Sequence, residues 1–164
     1  DCEQICISNG KSRICECAFG FKLAGNGKTC TSDPIKDNFM LVIDSTHNDI
    51  YQISLTDQSV QGINAQGKFS GTGLTYSPVN DLVIWGTYES ELSIMHLNGT
   101  GKKLLPISLS DGSYVFPYRF AVDYSTGNIY YTAGSHQHYI RSESYIGVLS
   151  PDGKHRVLIK GLDD

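Results

Sequence analysis

Beyond Cys30 the sequence has no cysteine, so the 134 residues that follow have no disulfide available and must fold around a hydrophobic core. Long apolar runs are also missing. The longest, residues 39–43, falls far short of the roughly 20 residues that a spanning helix needs, which excludes a transmembrane helix in this stretch. Basic charge is scarce. Thirteen Lys and Arg stand against 17 Asp and Glu, a net charge of -4 with no basic stripe, and this excludes nucleic-acid binding. The familiar catalytic signatures are missing as well. There is no Gly-x-Ser-x-Gly elbow, no His-Glu-x-x-His and no Gly-x-x-x-x-Gly-Lys-Ser/Thr loop, and no spacing joins His, Asp and Ser into a triad. The expectation is a chain with no enzymatic activity, no catalytic residue and no cofactor. It opens on Asp1 and Cys2, with neither the basic start nor the apolar centre of a leader, and is read as cut from something longer.

What is present is an ordinary globular composition, 40% hydrophobic and 18% charged, with one strong asymmetry. All five cysteines, Cys2, Cys6, Cys15, Cys17 and Cys30, lie in the first thirty residues. That marks a domain boundary. A segment too small for a core normally relies on disulfides, which form in an oxidising compartment. Zinc is the rival explanation. The spacing has no Cys-x-x-Cys knuckle and no histidine before His47, a poor match to a tetrahedral four-ligand site, so no metal ligand is expected.

The remainder repeats itself. Residues 73–85 align without a gap with 119–131 at an offset of 46, and residues 41–43 match 83–85 at an offset of 42. At that same offset Ile53 and Leu55 match Met95 and Leu97. Asp152 and Gly153 match Asn98 and Gly99 at an offset of 54, which implies eight residues inserted after Tyr131. Each copy reads as short β-branched and aromatic strands between turn signals, with Asn98–Gly99 expected as a type I′ turn. No window sustains a helical pattern. Four-stranded units of this period are the signature of a β-propeller, and a non-repetitive β-sandwich is the competing architecture.

Cys2, Cys6, Cys15, Cys17, the Gly20–Phe21 pair and Cys30 resemble the last five cysteines of an epidermal-growth-factor-like (EGF-like) module. The resemblance implies bridges from Cys2 to Cys15 and from Cys17 to Cys30, with the partner of Cys6 upstream of residue 1. Ser8 and Arg13 occupy the positions where calcium-binding members carry an Asx and an aromatic, so calcium is not expected. Together the two parts resemble the low-density lipoprotein receptor family, in which such modules adjoin six-bladed propellers with a repeated Tyr-Trp-Thr-Asp (YWTD) strand. The corresponding tetrads are 42–45, 84–87 and 130–133, where an aromatic stands second twice, at Trp85 and Tyr131, and the final Asp is never kept. The fold class implied is all-β: an EGF-like module over 1–32 lacking its first cysteine, a linker over 33–38, and a partial propeller over 39–164. Its repeats lie near 39–70, 71–116 and 117–164, about three of the six blades of a YWTD-type propeller.

The resemblance implies the extracellular part of a single-pass endocytic receptor, present at the cell surface and in endosomes, that binds and takes up protein or lipoprotein ligands and releases them on acidification. Its other partners would be the remaining blades and modules of the same receptor, with no membrane contact by this segment. A secreted matrix or signalling protein that uses the same pair for adhesion is the alternative, and a propeller hydrolase the second. Two features could carry chemistry. Asn98-Gly99-Thr100 is the sole N-glycosylation sequon. His136, His138 and Arg141 fall in the inserted stretch 134–141, which is expected as an exposed rim loop that contributes to pH-dependent contacts.

Overall fold

The computed structural model describes residues 2–8, 10, 12–18, 21–31, 35, 37–66, 69, 73–108, 114–137 and 141–160, and divides into two compact units, Asp1–Asn64 and Ala65–Asp164. Every element among the described residues is a β-strand.

The first unit opens with two hairpins, β1 (Ile5–Ser8) with β2 (Arg13–Glu16) and β3 (Lys22–Leu23) with β4 (Cys30–Thr31). Ile5, Ile7, Ile14 and Leu23 are all exposed, so these residues make no core. Covalent and polar ties take its place. Cys2 is bridged to Cys15 and Cys17 to Cys30, the pairing that the EGF-like pattern implies. The Glu3 carboxylate accepts the Cys30 N–H at 2.7 Å, and the Gln4 side-chain oxygen accepts that of Ala18 at 2.7 Å. Cys6 is a free, exposed thiol whose Sγ lies 2.9 Å from Cys2 Sγ.

The same unit holds a three-stranded sheet in the order β5 (Phe39–Asp44), β6 (Asp49–Ser54), β7 (Val60–Gly62). Gln52 of β6 is fully buried, where an unpaired amide would be costly. Its side-chain oxygen accepts the Ile35 N–H at 2.9 Å and its nitrogen donates to the Ile35 carbonyl at 2.7 Å, which ties the segment after the module to the sheet. Phe21 packs where Gly62 has no side chain. A Cβ there would stand 2.1 Å from the Phe21 ring.

The second unit contains two four-stranded antiparallel sheets. One consists of β8 (Leu74–Ser77), β9 (Leu82–Gly86), β10 (Glu91–His96) and β11 (Lys103–Pro106), the other of β12 (Phe116–Val122), β13 (Ile129–Gln137), β14 (Arg141–Leu149) and β15 (Arg156–Lys160). One core joins them. Ile84, Leu92 and Ile94 of the first pack with Ile129, Tyr131 and Leu149 of the second, each buried side chain contributing about 1.5–3 kcal/mol. The alternation of the strands explains this, because one face of each sheet is set by every second residue. Pro117 stands at a bulge in β12, where the register against β13 shifts, as a residue without an N–H donor requires.

Three expectations are corrected. With the tetrads aligned, Val42 matches Ile84 at an offset of 42. Yet Val42 lies opposite Tyr51 and Ile84 opposite Ile94, so β6 matches β10 at 43, and Ile53 corresponds to His96 rather than to Met95. The odd residue is absorbed in the turn between the strands. The second correction concerns 134–141. This stretch is not a loop over its described part: β13 runs to Gln137 and β14 begins at Arg141, in unbroken register. Eight added residues divide into four per strand, which lengthens the ladder without changing its phase. The third concerns Asn98–Gly99. A type I′ turn needs positive φ at both residues, but only Gly99 has it, at 83°, and the Gly99 N–H donates to the His96 carbonyl across a three-residue turn.

Candidate functional site

The hairpins β6–β7, β10–β11 and β14–β15 are closed by one repeated device. Asp57 Oδ1 accepts the Ser59 N–H at 3.0 Å, Asn98 Oδ1 that of Thr100 at 3.0 Å, and Asp152 Oδ1 that of Lys154 at 3.0 Å. The residue between is left-handed each time: Gln58 at φ 61°, Gly99 at 83° and Gly153 at 77°. Asp123 closes the β12–β13 turn in a related way, accepting the Thr126 hydroxyl at 2.6 Å and the Ser125 hydroxyl at 2.7 Å.

These hydrogen bonds favour the ionised carboxylates. Thr126 and Ser125 hold Asp123 down to about 2, Ser54 and Ser59 hold Asp57 at about 2, and Ser150 with the Lys154 N–H holds Asp152 at about 2. A carboxyl whose pKa falls on folding stabilises the fold above its unfolded value, near 4, and loses that contribution as pH falls towards 2. The turns should therefore be unaffected between pH 7 and 5. Carboxyl carbon shifts followed by nuclear magnetic resonance should titrate with midpoints near 2 at these residues, and midpoints near 4 would mean that the bonds are not formed in solution.

His47, His96 and His155 each stand on a turn or at a strand end of a different hairpin. His47 Nδ1 pairs with Asp44 Oδ2 at 2.6 Å on the β5–β6 turn, and this contact is the main cause of the lowered Asp44 pKa. His96 Nδ1 lies 3.2 Å from the Asp81 carbonyl oxygen, while His155 is exposed on the β14–β15 turn. His136 stands opposite Ser142 in the ladder and Arg141 opposite Gln137, so the register does not oppose the two. His138 lies outside the described residues. Among the described residues no group of three His, Cys, Asp or Glu is placed to hold a metal ion.

The tetrads serve packing. Trp85 and Tyr131, in their second positions, are buried. Phe69 packs on Trp85 at 6.0 Å between ring centroids, and Lys102 Nζ lies 5.8 Å from the Trp85 ring, donating to the carbonyls of Ala65 and Gln66. Of the residues in the place of the family's final Asp, Thr87 closes its own hairpin, its hydroxyl donating to the Glu91 carbonyl at 3.2 Å.

A surface that sequence inspection missed is the outer face of the last sheet. Tyr130, Ile146, Val157 and Ile159 are exposed there, Ile146 at 51% and Val157 at 60%. Register makes them neighbours, with Ile146 opposite Ile159, and Tyr130 and Val157 each opposite Val148. In the preceding sheet Ile84, Leu92 and Leu105, which correspond to Tyr130, Ile146 and Ile159, are buried in the core shared with the sheet that follows. The signal was available in the odd and even positions of β13 to β15 once their register was known.

Disulfide-closed hairpins followed by three similar sheets define an all-β class: an EGF-like module with about three blades of a six-bladed YWTD-type β-propeller. Among solved structures, a chain in the crystal structure of a nidogen/laminin complex is similar, with a TM-score of 0.59 and 20% identity over 78% of this chain and 46% of that one. The likeness is one of fold, and this chain spans about half the length of that neighbour. No family model matches the chain, and no curated protein sequence matches it.

Proposed function

We propose that this chain is a non-catalytic, extracellular protein-binding segment of a larger modular protein. The observation that carries the reading is the joining of a disulfide-closed module to blades whose last sheet exposes an apolar face. Two disulfides fit an oxidising compartment, and an exposed apolar patch fits burial against further protein, the next blade foremost. Cys6, exposed and free, fits a bridge to a cysteine upstream.

Two finer readings differ in their ligand. The first is an endocytic lipoprotein-receptor-like protein, anchored by a single membrane span, that releases ligand on acidification, and it rests on the tetrads and module together. The second is a matrix protein that uses the same pair for adhesion. It is favoured by the neighbour from a nidogen/laminin complex. Surface plasmon resonance of the protein over immobilised laminin and over immobilised low-density lipoprotein, at pH 7.4 and at pH 5.5, separates them. The receptor reading expects saturable lipoprotein binding that is lost at the lower pH. The adhesion reading expects laminin binding at both. Saturable binding to neither surface would overturn both readings.

A further inference from the structure

We propose that Asn98 is a built N-glycosylation site, carrying an N-linked oligosaccharide on the β10–β11 turn. The proposal rests on the extracellular reading and adds a modification to it. A sequon alone is a weak signal, since Asn-Gly is also a good turn former. The repeat supplies the second observation. In the equivalent turns Asp57 and Asp152 do the same work through Oδ1, so the turn requires an acceptor oxygen and makes no use of an amide nitrogen.

Only the second blade carries an amide at this place. Its Oδ1 is held by the Thr100 N–H at 3.0 Å and by the Thr100 hydroxyl at 2.7 Å, while Asn98 and Thr100 are both exposed. The atom that is modified, Nδ2, is thereby left on the solvent side, where a bulky glycan clears the sheet. The hydroxyl that the sequon requires is the one that orients the carboxamide. In the transfer Nδ2 bonds to C1 of an oligosaccharide carried on a polyprenyl diphosphate. The C1–O bond to phosphate breaks, Nδ2 gives up a proton, and the polyprenyl diphosphate leaves. No oxidant or reductant is needed.

The test is secretion of the protein from eukaryotic cells, followed by digestion with peptide N-glycosidase and peptide mass mapping. The expected result is one discrete mobility step lost on digestion, with residue 98 converted to aspartate in its peptide. Asn98→Asp and Thr100→Val should both lack the step. Asn98→Asp should also be secreted and fold as the parent does, because an aspartate closes the equivalent turn twice elsewhere in the chain. A secreted parent with the Cys2–Cys15 and Cys17–Cys30 bridges formed and an unmodified Asn98 peptide would overturn the proposal and leave the extracellular reading intact. Retention inside the cell with reduced cysteines would overturn both.

Discussion

Trp85→Ala is expected to destabilise the second unit by about 3–5 kcal/mol, the usual loss for deleting a large buried aromatic. Trp85 is fully buried, stacks at a tilt of 42° on Phe69, and sits beneath the Lys102 ammonium, so its removal leaves a cavity between groups fixed to separate segments. Because it is the sole tryptophan, the measurement must use circular dichroism in urea rather than its own fluorescence. Trp85→Phe separates volume from polarity. The indole Nε1 is buried with no hydrogen-bond partner among the described residues, and an unsatisfied buried donor costs about 1–3 kcal/mol. A phenyl ring removes that donor while keeping most of the volume, so Trp85→Phe should lose much less than Trp85→Ala. Equal losses would show that volume at this position does not set the stability of the blade.

The second large effect belongs to the module. Replacing Cys17 and Cys30 together by serine is expected to unfold residues 2–31, since the bridge closes a sequence separation of 13, and a loop near that length is worth about 3 kcal/mol. No core makes up the loss, because Ile5, Ile7, Ile14 and Leu23 are exposed. The readout is limited proteolysis with mass mapping. Cleavage should appear within 2–31 and leave the two sheets of the second unit resistant, as they make a compact unit of their own. A module as resistant as the parent's would mean that the Glu3 and Gln4 hydrogen bonds suffice without the bridge.

Much of this fold was legible because its signals are local. Cysteine spacing, the turn residues around Asn98 and Asp152, and the alternation in residues 51–55 each depend on a few neighbours in the chain. The three-blade count survives for the same reason. What was not legible depends on pairing. The change of offset from 42 to 43 between β5–β6 and β9–β10 is set by turn length, and sequence similarity among alternating strands does not register one residue. Ser135, His136 and Gln137 are polar and read as a loop, but backbone pairing with β14 continues through them. The repeated turn was half-hidden. Gln58 occupies the left-handed position that glycine marks in the other two blades. The apolar outer face of the last sheet was missed because exposure is a property of the packed sheet, and Ile146, Val157 and Ile159 look like any core residues in a strand.

The hairpins β5–β6, β9–β10 and β13–β14 also record which insertions and deletions this architecture accepts. An increment of eight residues went into the β13–β14 ladder as whole pairs, while a difference of one between the first two blades was confined to the turn. For a gene under mutation the two classes are unequal. Codons gained in even number about the tip of such a hairpin keep every inward residue inward, whereas an odd gain within a strand would turn Tyr131 or Trp85 out to solvent.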